Sequence, residues 1–186
     1  MPYKPVIFDL KSMFSVLFFL AVSVFLHSQT IADFEKPEDI KTWSLTGISN
    51  AKIELTQDKT EKKTGQFSLR IDLNTPEKVN FCHVVKHFPA KPDTSYVLTG
   101  WMKTELSSGE MTLEVQDSRG WKQFAAGGTY VKENSDWTKI SIKFKTKPDT
   151  DKIKIMMRRI QTTDREKAII GKIWIDDIIL TEENIK

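Results

Sequence analysis

The sequence predicts an all-β domain, an antiparallel two-sheet sandwich or a barrel, and three observations carry that prediction. Past residue 28, short segments rich in β-branched and aromatic residues recur with turn chemistry between them. Several alternate strictly between apolar and polar, the mark of antiparallel sheets with one buried face. No segment with helical period follows residue 28, apart from a turn around 36–40.

The first 28 residues read as a processing signal. Lys4 and Lys11 form a basic start, and residues 13–26 form an apolar core. That core is shorter than the ~20 residues a bilayer span requires, and small residues follow it near Ser28. The expectation is a secretory signal over 1–28, cleaved near Ser28, and one domain over 29–186. The mature protein is then secreted or periplasmic, with no membrane contact after cleavage; an uncleaved anchor is the alternative. No cysteine near the cleavage point supports lipoprotein processing. Removing 1–28 takes away Lys4, Lys11 and Asp9 and brings the formal charge from +3 to +2. The basic residues are scattered among acidic ones, without the basic stripe that a nucleic-acid partner demands. Cys82 is the only cysteine, so no internal disulfide forms, and its apolar surroundings read as a buried small hydrophobe.

The expected strands, in order, are 31–35, 51–55, 67–73, 80–88, 95–104, 111–116, 137–145, 152–161 and 171–181. Tyr96, Leu98, Gly100 and Met102 oppose Val97, Thr99, Trp101 and Lys103, and Ile140, Ile142 and Phe144 oppose Ser141, Lys143 and Lys145. Lys91-Pro92-Asp93-Thr94 and Lys147-Pro148-Asp149-Thr150 are near-identical turns, and Asp117-Ser118-Arg119-Gly120 closes a hairpin. In the closing strand, Lys172-Ile173-Trp174-Ile175-Asp176-Asp177-Ile178-Ile179-Leu180, two carboxylates interrupt an apolar run. A buried carboxylate needs a partner or a metal. A matching acidic cluster, Asp33-Phe34-Glu35, lies at the other end of the domain, so the two clusters predict a clip between the termini.

Taken together, several motifs resemble the jelly-roll carbohydrate-binding modules of the galactose-binding-like superfamily, in particular families 4, 9, 16 and 22. They are Asp33-Phe34-Glu35 with Trp43, Lys63-Thr64-Gly65-Gln66-Phe67-Ser68-Leu69-Arg70, Pro92 to Lys103, Asp136-Trp137-Thr138-Lys139-Ile140, and Trp174 to Leu180. The resemblance implies a jelly-roll sandwich and a carbohydrate partner. It also implies a structural calcium joining the first and last strands, held here by Glu35, Asp176 and the backbone carbonyls of Lys63 and Thr64. Calcium takes six to eight hard oxygen ligands, which agrees with that set. Neighbouring strand residues face opposite ways, so Asp176 and Asp177 are not both expected to aim at one ion; salt bridges or turn caps are the plainer reading of both acids.

Sugar recognition needs a flat aromatic surface beside groups that hydrogen-bond hydroxyls. Trp43, Trp101, Trp121, Tyr130, Trp137 and Trp174 are the aromatics available, with Trp137 and Trp174 read as packing. Trp101, opposite Tyr96 and Leu98, and Trp121, beyond the hairpin, are the stacking candidates. Glu114, Gln116 and Arg158 are the polar ones, provided their faces line one concave sheet; an ordinary solvated face is the alternative. Catalysis finds little footing. His83 and His87 are ~13 Å apart along a strand, too far to chelate together. No nucleophile elbow, phosphate loop or paired zinc ligands occur, and adjacent Asp176 and Asp177 cannot face each other across a substrate as glycosidase carboxylates do. The sequence therefore predicts a non-catalytic domain that binds an oligo- or polysaccharide. A structural or protein-interaction sandwich of the cell envelope is the alternative, and a jelly-roll glycan-active enzyme a more distant one.

Overall fold

The alternation at 95–102 and 140–144 becomes an antiparallel ladder in a computed structural model of the protein, which describes residues 27–46, 52–75, 83–159 and 168–183. The elements are β1 (His27–Ala32), α1 (Pro37–Lys41), β2 (Ser44–Thr46), β3 (Lys52–Asp58), β4 (Ser68–Thr75), β5 (His83–Pro89), β6 (Ser95–Leu106), β7 (Met111–Asp117), β8 (Ala125–Gly127), β9 (Asn134–Lys145), β10 (Lys152–Arg159) and β11 (Ile169–Glu183). They form two antiparallel sheets: a six-stranded one ordered β3-β4-β11-β6-β9 with β1 also on β11, and a five-stranded one ordered β2-β5-β10-β7-β8. The all-β sandwich is as expected. The three-residue strands β2 and β8 escape a pattern reading because they are too short to alternate.

One core fills the space between the sheets. Leu98, Met102, Ile140, Ile142 and Ile173 come from the larger sheet, and Leu113, Val115, Ile153, Ile155 and Met157 from the smaller. Each fully buried aliphatic contributes about 1.5–3 kcal/mol. A Cβ added at Gly100 would stand 3.0 Å from Leu113 Cδ1, so a side chain there would press on the facing sheet. The near-identical turns pack against each other: Asp93 N–H donates to the Lys147 carbonyl (3.2 Å), and Thr146 N–H to the Thr94 carbonyl (3.0 Å).

Strand β11 organises the larger sheet. Along one edge it pairs with β4 through residues 169–175 and then with β1 through 178–182, while β6 occupies the other edge. The register against β6 slips between Asp176 and Ile179, and Asp177 has φ +50°, a bulge at the point where β11 changes neighbours. The expected leader lies outside the described residues except for His27 and Ser28. Those two are the first residues of β1, and the Ser28 hydroxyl bonds that of Thr181 (2.9 Å). Cys82 also lies outside the described residues.

Candidate functional site

Two constellations carry the polar chemistry, one on each sheet. The first is a strap, residues 59–67 between β3 and β4, which crosses the outer face of the six-stranded sheet. Three carboxylates, from β3, β11 and the loop between β1 and α1, hold it, each accepting two successive backbone N–H groups. Asp58 Oδ1 takes Thr60 (2.7 Å) and Glu61 (3.3 Å). Asp176 Oδ2 takes Lys63 (2.8 Å) and Thr64 (3.2 Å). Glu35 Oε1 takes Gln66 (2.9 Å) and Phe67 (3.1 Å). The left-handed φ of +58° at Gly65 turns the chain between the last two pairs, and a Cβ there would stand 2.2 Å from Glu35 Oε1. The clip between the termini thus exists as geometry.

Its details depart from expectation in two ways. Asp176 and Asp177 reach the same loop, because the bulge breaks regular alternation: Thr64 Oγ1 lies 2.9 Å from both Asp177 carboxylate oxygens. Lys63 and Thr64 present N–H groups to Asp176, where the calcium set needs their carbonyls. Two N–H groups occupy Asp176 Oδ2, and Asp177 N–H occupies Oδ1 (2.9 Å). As folded, this donor set does not fit calcium. Burial pushes the Asp176 carboxyl up to about 6, against the pull of the Lys63 and Thr64 N–H groups.

The strap also fixes two tryptophans. Trp174 is buried, as expected, but on the outer face of its sheet and outside the core between the sheets. Its indole N–H donates to Asp58 Oδ2 (3.0 Å), and Lys103 Nζ stands 5.6 Å from its ring. Trp101, opposite Asp176 in the register, is half-buried with Lys63 Nζ 4.0 Å above its ring.

The second constellation is the outer face of the five-stranded sheet. Leu113 and Val115 enter the core, so Thr112, Glu114 and Gln116 point outward; Ile153, Ile155 and Met157 do the same for Lys154, Met156 and Arg158. The registers lay out rows across the strands: His87, Lys154, Gln116 and Ala125, then Val85, Met156, Glu114 and Gly127, then Arg158 beside Thr112. Arg158 Nη1 donates to Glu114 Oε2 (2.7 Å), Gln116 Nε2 donates to Glu114 Oε1, and Val85 and Met156 form a buried apolar floor. Glu114 is the only carboxylate on the outward positions of these strands among the described residues.

The structure therefore brings Glu114, Gln116 and Arg158 together, as expected from the alternation of their strands. It places Trp101 on the opposite sheet, so the expected single platform does not assemble: β6 and β7 follow each other in sequence but belong to different sheets. Trp121, past the turn closed by Gly120 N–H to the Asp117 carbonyl (2.9 Å), is 66% exposed. Tyr130, not selected as a stacking residue from the sequence, is 58% exposed. Val131 bridges to Met111 and is buried with it, so Tyr130 projects to the outer face at the level of Thr112. An exposed aromatic beside a buried valine, in a segment that returns along β7, was the available signal.

The fold is that of the carbohydrate-binding-module β-sandwiches. The N-terminal CBM22-1–CBM22-2 tandem domain of Paenibacillus barcinonensis Xyn10C matches with a TM-score of 0.61 at 14% identity, over 83% of this chain and 50% of that one. TmCBM61, determined with β-1,4-galactotriose, matches with a TM-score of 0.55 at 16% identity, over 83% of this chain and 99% of that one. The CBM22-1–GH10 modules of Clostridium thermocellum endo-1,4-β-D-xylanase 10B, determined with xylohexaose, match with a TM-score of 0.53 at 16% identity, over 84% of this chain and 28% of that one. This chain thus spans half or less of the two multidomain chains. Neither a family model nor a curated protein matches it in sequence.

Proposed function

We propose that this protein is a non-catalytic, secreted or periplasmic carbohydrate-binding domain that holds an oligo- or polysaccharide on the outer face of its five-stranded sheet. The observation that carries the reading is the convergence of Glu114, Gln116 and Arg158 on one sheet face, with Tyr130 at its margin. Glu114 and Gln116 are themselves buried and orient Arg158, whose guanidinium donates to hydroxyls at the surface, and such charge-assisted bonds are the strong ones. Tyr130 and Trp121 supply exposed ring surface for the apolar faces of sugars. The arrangement calls for no metal and no bond-breaking step.

Affinity electrophoresis of the full chain through polysaccharide-containing gels tests this. Trp121→Ala and Tyr130→Ala, both at exposed rings, are expected to abolish retardation while leaving the melting temperature within a few degrees of the parent. Unchanged retardation in both variants, or no retardation of the parent by any glycan, refutes the reading. One observation favours a second reading, a face that contacts another protein: both Glu114 oxygens are already engaged by Arg158 and Gln116.

A further inference from the structure

We infer that the glycan held on this face is acidic, carrying carboxylate or sulfate groups received by Lys152, Lys154 and His87; the inference rests on the proposed carbohydrate function. Lys154 and His87 stand directly opposite in the register of β10 and β5, where Cβ atoms are about 4.5–5.5 Å apart and like charges repel. Lys152 lies two residues along the same strand on the same face, about 7 Å away. None of the three has an acidic partner within ion-pair distance among the described residues. By contrast, on the other sheet Arg70 is paired with Asp58 and Asp72, Lys103 with Glu61, and Lys143 with Glu183. Among the described residues, the one carboxylate on the outward positions of the five-stranded sheet, Glu114, is committed to Arg158. Partial desolvation lowers the proton affinity of His87, and the charges of Lys154 and Lys152 lower it further.

Position decides what these three residues serve. Lys154 neighbours Gln116 across β7, so the basic cluster adjoins the Glu114–Gln116–Arg158 group in the next row. Ala125 and Gly127 close the rows, and a Cβ added at Gly127 would meet nothing within 4 Å, leaving the margin open beside Glu114. One sugar residue on this face can therefore present an anionic substituent to Lys154 and His87, which lie exposed or half-buried beside the buried Gln116. A salt-sensitive preference for charged glycans over neutral ones follows.

The test compares polygalacturonate and dextran sulfate with the neutral glycans galactan and dextran, using the full chain and the Lys152→Gln/Lys154→Gln double variant. The His87 ring protons are followed by NMR. Expected is binding about tenfold tighter for at least one acidic glycan than for its neutral counterpart, the effect of roughly one charged hydrogen bond. The double variant loses that advantage and keeps neutral-glycan binding, and the His87 titration moves to higher pH when the acidic glycan is present. Polygalacturonate and dextran sulfate distinguish uronate from sulfate as the recognised group. Equal affinity for acidic and neutral glycans overturns the inference alone, as does equal binding of a DNA oligonucleotide, which marks a general polyanion surface. Retention of no glycan at all overturns the proposed function along with it.

Discussion

Replacing Asp58 by alanine tests how the strap is held, and the size of the effect follows from the contacts. Asp58 accepts N–H groups from Thr60 (2.7 Å) and Glu61 (3.3 Å), the Trp174 indole (3.0 Å) and Arg70 (3.3 Å). Burial pushes its carboxyl up, but these four donors together outweigh burial and hold it near 2, against an ordinary 3.8. At 1.36 kcal/mol per unit, that difference is about 2.5 kcal/mol of stability in the ionised state. Alanine also leaves the buried Trp174 N–H without its acceptor, a further cost of about 1–3 kcal/mol that relaxation of the strap partly offsets. The expected loss for Asp58→Ala is about 2–4 kcal/mol near neutral pH. The sign of the pH dependence is fixed: the folded value is depressed, so the contribution is complete above the unfolded value and fades as pH falls through the folded one. Urea titrations of parent and variant should therefore show a gap that is constant above about pH 5 and shrinks towards about pH 2. A gap below about 0.5 kcal/mol near pH 7, or one that is unchanged between pH 5 and pH 2, refutes the reasoning.

Gly65→Ala combines a left-handed φ with a Cβ 2.2 Å from Glu35 Oε1, and should cost about 1–3 kcal/mol in a thermal or urea melt while raising amide exchange at Gln66 and Phe67. EDTA should leave the melting midpoint unchanged, because backbone N–H groups already occupy the Asp176 oxygens; a drop reversed by calcium would show that the loop carbonyls turn to a metal. Trp101→Ala should leave polysaccharide retardation intact, since Trp101 lies on the sheet opposite Glu114 and Gln116, and lost retardation would put the glycan on the wrong sheet in this account. Leu113→Ala, deep in the core, should destabilise by about 2–5 kcal/mol in the same urea titration.

Some of this was legible residue by residue. Alternation at 95–102 and 140–144 names the core face of β6 and β9, because successive side chains on a strand must point opposite ways. The acids at 33–35 and 176–177 announced a meeting of the chain ends, since neither can be buried alone. The manner of the meeting was not legible. Asp177 joins Asp176 only because β11 bulges where its neighbour changes from β4 to β1, and that change is a property of three strands at once.

The sequence by itself determined which side of the long alternating strands faces the core, where the turns between them fall, and that a buried acid needs partners, because these depend on a few adjacent residues. Only the tertiary structure decided that Trp101 and Glu114 lie on different sheets, that Tyr130 lies beside the strand that pairs with Arg158, and that His87, Lys152 and Lys154 come together on one face. Strand pairing joins residues tens of positions apart through backbone hydrogen bonds that are nearly blind to side-chain identity. The partner of a strand is therefore chosen by how the whole core packs, and so is the composition of each outer face.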